Sequence, residues 1–347
     1  MLSSIIMKML IVSKNPFRNW KYFINLIPAG LAVFGNLNGS WWSLSNFLFV
    51  FVILAFAEIL LPEDKNNEEG ADDVLPDLLM LLVVVAQFIA IASLAYGVYQ
   101  GYLSGFWIFG AALSTGAASG SLGIVIAHEL IHKKQAFWNF LGRLLLFSVF
   151  NPYFYVHHLR VHHKWVGTGH DPVTANKGES FYAFFFRTVR GQFKQSFELE
   201  KVRLQKQGNS PFGLKNYVVA VLAGAIFISL TIAYFFGYQV ALAVLMQALL
   251  ANLLLEYTNY IEHYGLSRDD KERVNEMHSW QSDKVVSRYF LIDLSRHADH
   301  HFHAAKPFNK LVSYQNSPVL PGGYTSMFLP ALIPPLWFKL VDKRIPA

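Results

Sequence analysis

The chain has 347 residues, 53% of them hydrophobic and only 15% charged, with a mean hydropathy of +0.31. Soluble domains carry about 25% charged residues, so this composition excludes an ordinary water-soluble globule and points to an integral membrane protein. The formal net charge is +6 and cysteine is absent, which excludes disulfides, structural zinc knuckles and any thiolate-held iron–sulfur centre within the chain.

In chain order, the first residues hold Lys8, Lys14 and Arg18, followed by Lys21, with no small-residue cleavage pattern. They read as a cytoplasmic lead-in, not a signal peptide. Apolar stretches then predict an all-α membrane protein of about six transmembrane helices, at about 22–37, 42–61, 78–99, 106–127, 217–236 and 240–260. Most are long enough, at about 1.5 Å per residue, to cross a hydrocarbon core of about 30 Å. A further run, 137–155, is broken by Gly142, Arg143, Asn151 and Pro152 and reads as an interfacial or re-entrant helix. The fourth span is unusually rich in small residues, Gly116 and Gly120 among them. Close helix packing accounts for that; so does a channel for a long, thin substrate, and the two readings are compatible.

Charge sets the expected orientation. All 29 lysines and arginines fall outside the six spans, and the short turns at 36–40, 100–105 and 237–239 hold none. By the positive-inside rule those turns face outward and both termini face the cytoplasm. The chain then reads as a single membrane domain with two cytoplasmic catalytic segments, 128–216 and 261–347.

The 13 histidines are concentrated on that same side. Three boxes stand out: HELIHK (His128, His132), HHLRVHH (His157, His158, His162, His163) and RHADHHFH (His297, His300, His301, His303), with His263 alone in NYIEHYG. Imidazole is a good ligand for iron, copper, nickel and zinc. His128 and His132, four apart on a helix, share a face, and His158 and His162 repeat that spacing. A lone histidine is usually structural or superficial, but three clusters on one side point to a polynuclear metal site. HELIH also matches a zinc-protease pattern with Glu129 as general base. That pattern needs one further ligand and an open position, far fewer histidines than this chain offers.

HELIHK, HHKWVGTGHDPVTANKGESFY, NYIEHYGL, HSWQSDKVVSRYF and RHADHHFHAAKPF together resemble the integral-membrane alkane monooxygenases, a branch of the non-haem diiron hydroxylase and desaturase superfamily. NYIEHYG is the most specific piece, because desaturases share the boxes but lack it. The resemblance implies a cytoplasmic diiron cap with ligands at His128, His132, His158, His162, His163, His263, His297, His300 and His301. His157 and Val161 depart from the family's second box, Ile131 from its first, and Ser295 stands where glutamine is usual. His157 reads as an extra ligand, a donor that orients a ligand or a surface residue, the last two preferred, while His170, His278 and His303 fall outside the ligand positions. Glu129, Asp171, Glu179, Glu262 and Asp299 are candidates for orienting the ligand histidines through their N–H groups.

The implied reaction is hydroxylation of the terminal methyl of medium- or long-chain n-alkanes to primary alcohols, with O2 as co-substrate at two non-haem iron ions. An unactivated C–H bond lies beyond acid–base side chains and calls for a redox metal, which zinc is not. At about 0.8 kcal/mol per methylene, such alkanes reside in the bilayer. No dinucleotide fingerprint is present, so electrons must come from another protein; the resemblance implies rubredoxin, served by a rubredoxin reductase. The basic segment with Arg187, Arg190, Lys194, Lys201, Arg203, Lys206 and Lys215 offers an acidic carrier a docking surface, or reflects the general positive-inside bias. No nucleic acid is expected as a partner. Alternatives are an aromatic-methyl monooxygenase, an acyl-lipid desaturase, an intramembrane zinc protease and a metal carrier. Against a carrier, only Glu58 and Glu256 lie in or near the spans, where ion routes are usually marked by ionisable residues.

Overall fold

The structure, a computed structural model, describes residues 18–67 and 74–346; the lead-in at Lys8 and Lys14 lies outside them. Its regular elements are helices, and among the described residues β pairing is confined to two isolated bridges, Glu63 with Lys284 and Gln281 with Val319. The helices that build the fold are α1 (Ile27–Asn38), α2 (Ser40–Leu60), α3 (Leu75–Tyr99), α4 (Phe106–His132), α5 (Ala136–Ser148), α6 (154–165), α7 (Phe181–Gln205), α8 (Tyr217–Phe236), α9 (Tyr238–His263), α10 (Val285–Phe290) and α11 (His297–Phe302).

Five of these, α2, α3, α4, α8 and α9, are long and apolar enough to cross a bilayer. The first apolar stretch is helical as well, a 3-10 segment Trp20–Leu26 running into α1. Together they extend about 32 Å at ~2.0 and ~1.5 Å per residue. Local chemistry sets the ends of the helices. Asn216 accepts from the N–H groups of Val218 and Val219 to start α8, and Ser180 accepts from Ala183 to start α7. Gly237, at φ +92°, is the single residue between α8 and α9; a side chain there would be strained.

Helix α4 is the most enclosed, with 72% of its most apolar window buried against 11% for α8. Its small residues explain how neighbours come so close. A Cβ on Gly116 would lie 2.8 Å from the Gln247 carbonyl oxygen, and one on Gly120 2.8 Å from the Leu254 side chain, both on α9. Polar rungs reinforce this packing where water is absent. Gln87 of α3 donates to Ser119 of α4 (2.9 Å) and Ser148 of α5 (3.1 Å), and Ser119 donates to Gln247 of α9 (2.8 Å).

Those rungs place the end of α5 level with Gln87, about 18 Å along α3 from Leu75. The chain then reverses through Asn151 and Pro152, pinned by Asn151 to Asn252 (2.7 Å) and by Asn252 to the Val149 carbonyl (2.8 Å). The 137–155 run therefore dips beside the spans and returns to deliver the second histidine box. The segment before the third box is clamped in turn: Arg288 pairs with Asp293 (2.6 Å), which also accepts from the Tyr22 hydroxyl, and Arg296 pairs with Asp283 (3.2 Å).

Candidate metal centre

The nine histidines come from the ends of α4 and α9, from α6 and from α11, and they gather in two adjoining groups. His128, His132, His158, His163 and His300 form one, and His162, His263, His297 and His301 the other; within each group the ligand atoms lie within 4.8 Å of one another. The split within the second box comes from a π-helical turn over His158–His162. That wide turn aligns residues five apart, so His158 pairs with His163 (Nε2 to Nε2, 3.0 Å) while His162 turns to the other group. The four-residue spacing of His158 and His162 had suggested a shared face. The third box divides similarly, with His300 in the first group and His297 and His301, 3.0 Å apart at Nε2, in the second.

Nitrogen geometry tests whether this donor set fits a metal. The Nε2 atoms of His132, His158 and His163 form a triangle with edges of 3.0, 3.0 and 3.2 Å. An imidazole Nε2 is either a donor or an acceptor, never both. Of three such atoms at least two share a role, so at least one edge cannot be a hydrogen bond. Donors about 2.1 Å from one ion at right angles to each other sit about 3.0 Å apart, which is the spacing found. The second group repeats it with His162 to His301 at 3.1 Å. Buried ring nitrogens at His128 (Nε2) and His263 (both) have no hydrogen-bond partner. The residues fit metal cations held in two neighbouring sites.

Charge state agrees. Burial, reinforced by neighbouring imidazoles, pushes His158, His163, His297, His300 and His301 well below the usual histidine value, so these rings are neutral and available as ligands. His162 Nδ1 lies 2.9 Å from Asp171 Oδ2. Burial alone would raise that carboxyl, but the adjacent His162 holds it below the usual range. Asp171 thus fixes the tautomer that leaves Nε2 free to bind metal.

The other acidic candidates differ. Glu262 reaches the second group directly, with Oε2 at 3.1 Å from His297 Nε2 and Oε1 accepting from Tyr324 Oη at 2.8 Å. Glu129 is held by the Phe308 backbone N–H. Glu179 is taken up by Arg187 (2.7 Å). Asp299 braces the loop after α11 by accepting from Lys306 (2.6 Å), the Val312 N–H (2.8 Å) and Tyr314 (2.9 Å). The remaining histidines have partners elsewhere: His157 with Gln195 (2.9 Å), His170 with Asp270 (3.0 Å), His278 with Glu272 (3.4 Å) and His303 with Asp299 (2.8 Å).

Tyr324 is a site residue that sequence reasoning missed. It sits in LPGGYTSMF, a segment with no histidine or acid to single it out. Glu58 anchors that loop by accepting from Ser287, Thr325 (2.8 Å) and the Ser326 N–H (2.7 Å). Glu256 is likewise locked, by Tyr153 (3.2 Å), Gln192 (2.9 Å) and Asn259 (3.0 Å). Neither carboxylate is free to mark an ion route.

An apolar cavity of about 110 Å³ abuts the first and second groups. Val50 and Phe51 of α2, Ile124 of α4, Leu254 of α9 and Phe328 line it, together with His128, His158, His297 and Glu262. Gly120 and Ser121 line it as well, so the small-residue helix both packs tightly and borders the cavity. Two π-helical turns, Phe49–Ile53 and Ser119–Ile124, contribute Val50, Phe51, Gly120, Ser121 and Ile124 to this wall.

The fatty acid desaturase family profile matches residues 103–331. Over 98% of its length the chain is 34% identical to alkane 1-monooxygenase 1 of Pseudomonas aeruginosa, covering 89% of that protein. The chain belongs to the alkane 1-monooxygenase family. A second member, alkane 1-monooxygenase 2 of Alcanivorax borkumensis, is 33% identical over 94% of the chain and 89% of its own length. More distant is the hydroxylase component of a xylene/toluene monooxygenase of Pseudomonas putida, 25% identical over 93% of the chain. Membership in the alkane 1-monooxygenase family makes the chain a membrane-bound monooxygenase and removes the zinc protease and metal carrier readings.

Proposed function

We propose that the chain hydroxylates the terminal methyl group of a medium- or long-chain n-alkane, using O2 and two iron ions held by the nine histidines. One observation carries this reading: an apolar cavity whose lining includes His128, His158 and His297. Bound iron would supply the redox chemistry that an unactivated C–H bond requires.

The chain's own residues supply everything around that step. Val50, Phe51, Ile124, Leu254 and Phe328 exclude water and hold a flexible chain by apolar contact, which confines its end to the histidine wall. Glu262 and Tyr324 are among the polar groups beside it, and the Tyr324 hydroxyl donates to Glu262 Oε1. Asp171 holds the His162 proton at Nδ1. Substrate arrives laterally from lipid, where its methylenes already reside.

Electrons come from a carrier protein, which we assign to rubredoxin served by its reductase, at a site on the cytoplasmic face together with both termini. The basic segment proposed for docking is helix α7, where Arg187, Lys201 and Arg203 are paired with Glu179, Glu198 and Glu200. Arg190 and Lys194, with Lys206 and Lys215 just past α7, have no ion-pair partner among the described residues and carry the charge left to attract an acidic carrier. Turnover at limiting carrier is expected to fall as salt rises; a salt-independent rate removes α7 from the docking surface.

The deciding experiment supplies purified, metal-analysed protein with O2, reductant and a mixture of an n-alkane, a methylated aromatic and an acyl lipid. Primary alcohol from the alkane, with about two irons per chain, is the expected result. Alkene in the acyl lipid, benzylic alcohol alone, or an active zinc protein overturns the reading.

A further inference from the structure

A second cavity, apart from the histidines, opens where α8 begins, between α5, α6 and the end of α7. Four cations border it, Arg143, Arg160, Arg203 and Lys215, with a single acid, Glu200. That acid is already spent. Arg203 takes both of its oxygens, Nε to Oε1 at 2.8 Å and Nη2 to Oε2 at 2.6 Å, and the Tyr217 N–H adds a third bond at 3.0 Å. Lys215 donates only to the neutral Asn209 (2.7 Å). Arg143 and Arg160 have no carboxylate partner among the described residues, and the Arg143 guanidinium lies 5.5 Å from the Tyr155 ring centre. Glu200 also attracts Arg160, but four cations against one carboxylate leave the cavity three positive charges in excess.

Two buried polar atoms there also lack partners, Arg143 Nε and the Tyr217 hydroxyl. Buried donors are rarely left so. Both are on elements that border the cavity, one on α5 and one at the first turn of α8. Unspent donors beside uncompensated cations call for an anion, and the forked guanidinium favours the oxygens of a phosphate.

The location selects the kind of phosphate compound. Tyr217 and Ala220 stand in the first turn of a membrane-crossing helix, so the cavity straddles the boundary between water and lipid. Beyond it, Ile226, Phe227 and Leu230 of α8 are 62–70% exposed, an apolar surface suited to an acyl chain. We propose that this cavity binds the phosphate of a phospholipid, with Arg143, Arg160, Lys215 and the Tyr217 hydroxyl as donors and an acyl chain lying along α8. Arg160 belongs to the π-helical turn that sorts His158, His162 and His163 between the two metal groups. A bound lipid therefore braces the helix that carries three of the nine histidines.

The test uses the full chain in mild detergent, with lipid retention read by native mass spectrometry and thermal midpoints measured with and without added lipid. Phosphatidylglycerol is the probe, diacylglycerol the phosphate-free control and inorganic phosphate the soluble control. The wild-type chain is expected to retain one phosphatidylglycerol, to gain thermal stability from it and to ignore diacylglycerol. Arg143→Gln and the exposed Arg160→Gln are each expected to weaken retention about tenfold or more and to lose the lipid-dependent shift, while their lipid-free midpoints stay at the wild-type value.

Three outcomes overturn the proposal. Retention unchanged in both variants removes the cavity as the lipid site. Inorganic phosphate giving the same stabilisation as the lipid makes it a soluble-anion site. Unchanged lipid retention with a several-fold higher KM for the reduced carrier makes it part of the carrier's docking surface.

Discussion

Glu262 and His297 meet at 3.1 Å, carboxylate oxygen to Nε2, although they are 35 positions apart and on different elements. His297 Nδ1 is buried without a hydrogen-bond partner, and the contact with Glu262 is made at the ring's other nitrogen. The second oxygen of Glu262 is fixed by Tyr324, which the Glu58-anchored loop supplies. Three distant parts of the chain thus converge on one carboxylate in the lining of the apolar cavity.

Replacing Glu262 with Gln keeps the shape of the side chain and removes its charge. Groups that directly support metal ligands contribute about 10- to 100-fold to metal affinity or activity. Turnover of E262Q is expected to fall by that factor, with a smaller fall in Tyr324→Phe, which removes one hydrogen bond. Iron content and alcohol formation measured on the same samples separate lost metal from lost chemistry. Wild-type values for E262Q in both would remove Glu262 from the site.

Metal retention should sort the histidines. His263→Ala deletes one of four donors in the second group and is expected to lose about half of the bound iron. His157→Gln should retain it, because His157 is buried against Gln195 and faces neither group. His170 is exposed beside Asp270, and His170→Ala should be silent. Metal analysis after brief chelation checks all three. Loss in the His157 variant equal to that in the His263 variant would add a tenth ligand to the set.

Much of this was legible in the sequence for a simple reason. Lipid imposes long apolar runs, and metal imposes histidines at helical spacing; both leave periodic marks. The division of the histidines was not legible, because it depends on a π-helical turn at His158–His162 that no composition signals. Nor was the role of Tyr324, which depends on a loop closing over α2. Asp171 and Glu262 were nominated together with Glu129, Glu179 and Asp299, but only the folded chain shows which carboxylates reach a ring. Glu179 went to Arg187 and Asp299 to Lys306 because those cations lie closer.

The pH dependence of the metal-free protein follows from burial. His158, His163, His297, His300 and His301 have folded values well below the ordinary 6.5. Above that value both folded and unfolded chains carry neutral rings, and stability is full. Below it the unfolded chain takes up protons that the buried rings refuse, so stability falls by up to about 1.4 kcal/mol per group per pH unit. The thermal midpoint of the apo protein should therefore drop steadily as pH falls from about 7 to about 5. A flat profile in that range would mean that the rings are solvated and the groups not preformed.

Glu58 provides the last test, because it links the membrane span α2 to the loop over the cavity. Its carboxylate accepts from Ser287, Thr325 and the Ser326 N–H and is 1% exposed. A Cβ on Gly323 would collide with it, so the glycine lets the loop close. Glu58→Ala leaves the buried Ser287 hydroxyl and two half-buried donors, Thr325 and the Ser326 N–H, unpaired, at up to about 1–3 kcal/mol each before relaxation. A thermal midpoint lower by several degrees is expected. The loop also carries Thr325, Tyr324 and Phe328 into the cavity wall, so the looser variant should discriminate less between alkanes of different length. Product ratios from an alkane mixture measure this. A lower midpoint with unchanged ratios would confine Glu58 to stability and separate the loop from substrate selection.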